Sequence, residues 1–256
     1  VIGGRFFELL GVRINATPFA EVLATVLHAP DTADQLALHF ATVHSIVEAH
    51  GSDSLRSALN QGLVEPDGMP LVWLGRRAGA ERVAGPDFMP ALVEEGVRYG
   101  RRHFFYGGAP GVADRVAVRL SERFPGLQVA GAHSPPFRPL SPAEDEQITA
   151  LINAARPDYV WVGLGTPKQD LWVADHRPRL SAAALLAVGA AFDLMAGQQR
   201  RAPRWMQRTG TEWLYRLTHE PRRLARRYTV VNVRFALLVA RDRLRSALGR
   251  RSSADG

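Results

Sequence analysis

Short apolar, β-rich runs recur along the chain and alternate with stretches of helical pattern. The runs predict strands over Phe6–Ile14, Leu36–Val43, His103–Tyr106, Leu127–Ala130, Tyr159–Val162 and Ala184–Val188. The stretches between them predict helices over Pro18–Leu27, Asp53–Asn60, Pro86–Tyr99, Pro110–Phe124, Pro142–Ala155 and Pro167–Asp175. Several helices open with proline, whose fixed φ and missing N–H suit the first helical position. Apolar strands alternating with helices point to the α/β class. The expected architecture is a Rossmann-like, mostly parallel sheet with helices on both faces.

From Ala202 the alternation stops and only helical, Arg-rich sequence follows. Residues 1–199 therefore read as one α/β domain, 200–249 as a basic helical appendage, and 250–256 as a disordered tail. A chain of 256 residues can bury a full core and accommodates this division. The stretch Val230–Ala240 is the most apolar of the appendage, but it is too short to span a bilayer and Arg234 interrupts it. A helix lying in a membrane interface, or packed on a partner, fits better.

Charge sharpens the division. The net charge is +7, yet residues 200–251 hold 15 arginines against Glu212, Glu220 and Asp242, while residues 1–199 hold 17 basic and 21 acidic residues. The basic character belongs to the appendage, which suits a polyanionic partner such as an anionic membrane surface, a nucleic acid or phosphates. There is no cysteine, hence no disulfide framework and no thiolate metal site, which fits a reducing cytoplasm. Val1–Leu10 lacks the basic start and apolar run of a signal peptide.

Two strands end in glycine-rich turns that feed helices: FFYGGAPGVADRV (104–116), with Gly107 and Gly108, and VWVGLGTPKQDLW (160–172), with Gly163 and Gly165. Glycine allows close backbone approach, and a helix N-terminus favours an anion. Neither turn has Walker or GxGxxG spacing, so a tight βα turn without a ligand is the plain alternative. Two such turns in one parallel sheet favour a nucleotide or sugar-nucleotide site at the strand ends. The second turn carries Lys168, the only lysine of the chain. A cation in the first turn of a helix opposes the dipole, which makes sense if an anion shares the site; a solvent-facing lysine is the equal alternative. Gln169 beside it can donate and accept toward a sugar hydroxyl.

Six ordered blocks, PDGMPLVW (66–73), ERVAGPDFM (81–89), FFYGGAPGVA (104–113), VGLGTPKQDLWV (162–173), VGAAFDLMAG (188–197) and RRAPRWMQRTGTEWLYRLTHEPRR (200–223), resemble the bacterial WecG/TagA/CpsF glycosyltransferases. The likeness runs from about Leu10 to Tyr228. It implies an inverting enzyme without an essential metal or cofactor. The donor is a UDP-sugar carrying N-acetylmannosamine, its uronic acid or glucose. The acceptor is an undecaprenyl-diphosphate-linked saccharide of cell-surface polysaccharide or teichoic acid assembly. The implied location is cytoplasmic, on the inner face of the cell membrane. The sequence agrees in having no Asp-x-Asp after an apolar strand. It reads Glu144-Asp145-Glu146 as a solvated helix start.

Under the resemblance Asp67 is the base that takes the acceptor's proton; the tripeptide alone reads as an Asx-type Pro-Asp-Gly bend. Thr42 and His44, at the end of the Leu36–Val43 run, fall at the sugar-nucleotide site, although relatives often carry Asn where His44 stands. Arg82 is a phosphate clamp or a surface ion pair with Glu81 or Asp87. Gln169 contacts the sugar or nucleotide, and Asp193 binds uridine or ribose or caps a helix. The appendage docks on anionic lipid and supplies Arg216, Arg223 and Arg226 to the acceptor phosphates. A nucleic-acid binder using the basic helices is the alternative, without an RNP, zinc or helix-turn-helix signature. A dinucleotide oxidoreductase lacks its glycine fingerprint. The oligomeric state is left open, a homo-oligomer included.

Overall fold

The computed structural model describes residues 4–199, 201–219 and 230–244. Six parallel strands form the central sheet: β3 (Leu36–Ala41), β4 (Leu63–Pro66), β5 (Arg102–Gly107), β6 (Gln128–His133), β7 (Tyr159–Gly163) and β8 (Ala184–Ala187). Their lateral order is β4-β3-β8-β7-β5-β6. The expected doubly covered parallel sheet is therefore present.

Its helices are α1 (Phe19–Leu27), α2 (Val43–His50), α3 (Asp53–Asn60), α4 (Met69–Gly75), α5 (Gly85–Val97), α6 (Val112–Arg123), α7 (Pro142–Ala155), α8 (Lys168–His176) and α9 (Ala191–Met195). Alternate residues of one strand serve the two covering layers. Tyr159 and Trp161 of β7 pack with the layer of α1, α5, α6 and α9, whereas Val160 and Val162 pack with α7 and α8. Both sets are fully buried, so the strand reads as an unbroken apolar run. Each such large side chain contributes roughly 2–3 kcal/mol by leaving water.

The sequence reading differs from the structure in four places. The run Phe6–Ile14 is two antiparallel strands, β1 (Phe6–Leu9) and β2 (Val12–Asn15), because Leu10 and Gly11 turn the chain with φ of 52° and 82°. The strand predicted to Val43 stops at Ala41, and Thr42 becomes the N-cap of α2. β4 is absent from the predicted strands, since only Leu63 and Val64 are apolar and its other half is a buried glutamate and a proline. Finally, α2, α4 and α9 escaped the sequence pattern altogether.

Beyond residue 200 the described chain is helical, as expected: α10 (Arg204–Arg208), α11 (Glu212–His219) and α12 (residues 230–244). Phe235 and Val239 of α12 are buried with Leu9, Val12, Ile46 and Leu71. The basic segment thus shares a core with the β1–β2 hairpin, α2 and α4. The predicted tail, 250–256, lies outside the described residues.

Candidate active site

The carboxyl ends of β3, β4, β5, β7 and β8 open into one cleft of about 1280 Å³, lined by Thr42, Asp67, Tyr106, Gly163 and Val188 from the respective strand ends. Parallel sheets place ligands at this edge because the βα turns converge there. The opposite wall comes from the appendage: Glu212 and Trp213 of α11, and Val231 and Phe235 of α12.

Asp67 sits where β4 turns into α4, its N–H donating to Ala41 O at 2.9 Å. Its side chain is about a fifth exposed, and Arg82 Nη2 donates to its Oδ1 at 3.3 Å while Arg82 Nε donates to its carbonyl at 2.7 Å. Burial raises the carboxyl above the ordinary aspartate range. The Glu212 charge adds to the rise, while Arg82 and the Gly85 N–H oppose it. A carboxylate held this way is a stronger base than an exposed one.

Arg82 does not pair with Glu81 or Asp87. It spans Asp67 and Glu212, with Nη2 2.8 Å from Glu212 Oε2. Asp87 is instead held by both terminal nitrogens of Arg201, at 2.5 and 2.6 Å, and Glu81 accepts the Phe19 N–H at 3.2 Å. Glu212 and Arg201 were not singled out from the sequence, where they counted only toward the charge of the appendage. The available signal was an acid inside an Arg-rich helical block.

Several N–H groups of the glycine turns are taken up within the protein. The Gly108 N–H donates to Gly163 O at 2.9 Å, and the Gly165 N–H donates to Gln169 Oε1 at 3.0 Å. At the start of α6, the Ala113 N–H is capped by Ser134 Oγ at 3.2 Å. Gly107 has φ +135°, and a Cβ there would lie 2.6 Å from the Gly163 carbonyl carbon. Its glycine serves strand packing rather than ligand approach. Gly108 and Gly163 line the cleft, but as surface rather than as donors.

Gln169 also departs from expectation. It is 3% exposed, and its Nε2 donates to Ala187 O at 3.0 Å while its Oε1 holds Gly165. Asp170 is buried too, its Oδ2 accepting from the Thr166 hydroxyl at 2.9 Å and its Oδ1 lying 2.9 Å from His39 Nδ1. Both side chains brace the turn. Lys168 alone of this trio is exposed into the cleft, with Nζ 5.0 Å over the Phe137 ring. Among the described cations lining the cleft, Arg82, Arg138 and Arg201 each face a carboxylate, and Lys168 faces this ring.

Thr42 and His44 line the cleft at the start of α2, with the Thr42 N–H donating to Ser45 Oγ at 3.2 Å. Asp193 lines it from the third position of α9, so it is not the cap of that helix. Arg216 falls on α11, but its side chain lies outside what the structure describes, as do Arg223 and Arg226 entirely. Among the described residues, Asp145, Asp175 and His176 bring three potential metal-ligand atoms within 4.8 Å of one another. Arg179 already donates to Asp145 at 2.7 Å and to Asp175 at 3.2 Å, supplying the positive charge there. The Glu144 end of that helix closes a capping box on Ser141 and pairs with Arg138.

The sequence pattern described as the Glycosyl transferase WecG/TagA/CpsF family matches residues 7–249. The chain belongs to this family. Its similarity to curated members is moderate. It is 30% identical over 168 residues to the N-acetylglucosaminyldiphosphoundecaprenol N-acetyl-beta-D-mannosaminyltransferase of Bacillus spizizenii, covering 64% of this chain and 63% of that relative. The Bacillus subtilis protein of the same name is 30% identical over 187 residues, 72% of this chain and 70% of the relative. The Staphylococcus aureus protein of that name is 23% identical over 246 residues, 94% and 95% of the two chains. All six sequence blocks quoted above fall inside the family match. The WecG/TagA/CpsF likeness read from them therefore holds, and with it the class of glycosyl transfer.

Proposed function

We propose that this protein is an inverting glycosyltransferase that moves an N-acetylmannosamine-like sugar from a UDP-sugar to a saccharide carried on undecaprenyl diphosphate. The observation that carries the reading is the half-buried Asp67 carboxylate, held by Arg82 at the strand ends of a cleft large enough for two substrates. The names of the relatives support the acceptor: an N-acetylglucosamine on diphosphoundecaprenol.

Oδ2 of Asp67 takes the proton of the acceptor hydroxyl. The hydroxyl oxygen then attacks the anomeric carbon from the face opposite the diphosphate, the glycosidic bond to phosphate breaks, and UDP leaves. Negative charge grows on the leaving diphosphate. Lys168 at the cleft surface is the cation placed to meet it, and we assign Arg216, Arg223 and Arg226 to the acceptor phosphates. Thr42, His44 and Asp193 border the donor space. In this scheme the charge is met by side chains of the chain itself, without a required divalent ion.

The acceptor resides in a membrane, and α12 presents a surface for one. Val230, Val233, Leu237 and Leu244 are exposed and share one face of the helix, at spacings of three, four and seven residues, opposite the buried Phe235 and Val239. Arg234 and Arg241 lie beside that stripe, the pattern of an interfacial helix on anionic lipid. No helix among the described residues is long and apolar enough to cross a bilayer. We place the enzyme peripherally on the inner face of the cell membrane.

The test is direct transfer. The full chain is incubated with UDP-N-acetylmannosamine and a short-chain lipid diphosphate bearing N-acetylglucosamine, and UDP release and the disaccharide product are followed. Product formation with inverted configuration is expected. No product from any of the three UDP-sugars named above would overturn the reading.

A further inference from the structure

We propose that Glu212 is a positioning residue for the base: carried in by α11, it draws the Arg82 guanidinium off the Asp67 carboxylate and so leaves that carboxylate basic. The inference rests on the assignment of Asp67 as the proton acceptor. It adds a role for an acid of the basic segment, which sequence reading counted only as charge.

The geometry is unequal in a telling way. Arg82 Nη2 is 2.8 Å from Glu212 Oε2 but 3.3 Å from Asp67 Oδ1. Its Nε is held by the Asp67 carbonyl, not by the carboxylate. An arginine facing a lone carboxylate often adopts a bidentate fork, as Arg201 does with Asp87. Glu212 works against that fork at Asp67 by drawing Nη2 to the shorter of its two contacts. A fork on Asp67 would occupy both oxygens and stabilise the charged form, making the residue a poor acceptor of protons.

The groups around Asp67 are few. Arg82 and the Gly85 N–H favour its charged form, and Glu212 disfavours it. His44 on α2 lines the same cleft, and Arg201 sits within electrostatic reach of both Glu212 and Arg82. Signs alternate from Asp67 through Arg82, Glu212 and Arg201 to Asp87. Two of these five charges belong to the segment after residue 199. Seating that segment therefore completes the site, and withdrawing α11 lets Arg82 collapse onto Asp67.

Glu212→Gln tests this, because it keeps the shape and an acceptor oxygen but removes the charge. In the full chain with 13C-labelled aspartate carboxyls, the Asp67 signal is assigned by its loss in Asp67→Asn and titrated without substrate. The Asp67 midpoint is expected to move to lower pH in Glu212→Gln and to stay in place in Glu212→Asp. In the transfer assay the acid limb of kcat should move the same way. Its plateau should fall on the order of tenfold, with the KM for the UDP-sugar unchanged. An Asp67 midpoint that stays put in Glu212→Gln would overturn the inference, whatever happens to rate. A midpoint that moves as expected in a chain that transfers no sugar would leave the positioning intact and sink the assigned reaction instead.

Discussion

The Asn15 side-chain amide donates to Glu65 Oε1 at 2.9 Å inside the junction of β2 with β4. Glu65 is fully buried, its second oxygen meets no donor, and burial pushes its carboxyl up to about 7. In the unfolded chain the same group titrates near 4.5. The folded protein thus binds a proton that the unfolded chain has already lost. Stability from the neutral carboxyl is complete below about pH 4.5 and declines as pH rises toward about 7. Glu65→Gln mimics the protonated acid. At pH 8 it should be more stable than the parent by up to about 3 kcal/mol, with no difference at pH 4, as read by urea denaturation at the two pH values.

Asp67→Asn should retain the affinity for the donor, because the side chain keeps its size and its place beside Arg82. Turnover should fall by about 10²-fold or more. In the parent enzyme, the raised aspartate places the acid limb of the rate profile above the ordinary carboxylate range, with activity rising as pH climbs through it. Calorimetric titration with UDP-sugar alongside initial rates separates the two quantities. Undiminished turnover would remove Asp67 from the chemistry.

Lys168 and Gln169 are neighbours with opposite expected effects. Lys168→Ala should raise the KM for the UDP-sugar and leave the melting temperature alone, since the residue is exposed in the cleft. Gln169→Ala removes the acceptor of the Gly165 N–H and a donor to the Ala187 carbonyl. It should lose about 1–3 kcal/mol of stability before any effect on binding is considered. Thermal melts and donor saturation curves on both variants decide between these roles, and a stable Gln169→Ala with a raised KM would reverse them.

On α12 the two faces should separate cleanly. The double change Val233→Glu and Leu237→Glu alters exposed positions and should abolish sedimentation with anionic vesicles at unchanged melting temperature. Phe235→Ala, on the buried face, should cost about 3 kcal/mol of stability. Undiminished vesicle binding by the double variant would move the membrane contact elsewhere.

Much of the fold was legible because its signals are local. Asp53–Asn60 and Pro142–Ala155 form the helices predicted, with the same ends, since their caps and breakers lie within a few residues. The misses were also local in origin. Glu65 and Pro66 disguised β4 as a loop, and φ values of 52° and 82° at Leu10 and Gly11 split one apparent strand into two. At the site, the sequence singled out Asp67, Arg82 and Lys168, and all three line the cleft. It read Gln169 toward the ligand, whereas the structure shows its amide bonded to backbone, because an amide in a turn can face a ligand or its own backbone, and spacing does not distinguish the two.

The sequence by itself determined the alternation of strand and helix, the family and the charge division, because periodicity, motif order and composition are written in neighbouring residues. Tertiary structure decided the lateral order β4-β3-β8-β7-β5-β6 and the pairing of Arg82 with Glu212, which lie 130 positions apart. Any arginine of this chain could satisfy any acid. Only packing of α11 over the cleft brings this pair within hydrogen-bond reach, and hydrogen bonds select partners by distance and angle rather than by sequence.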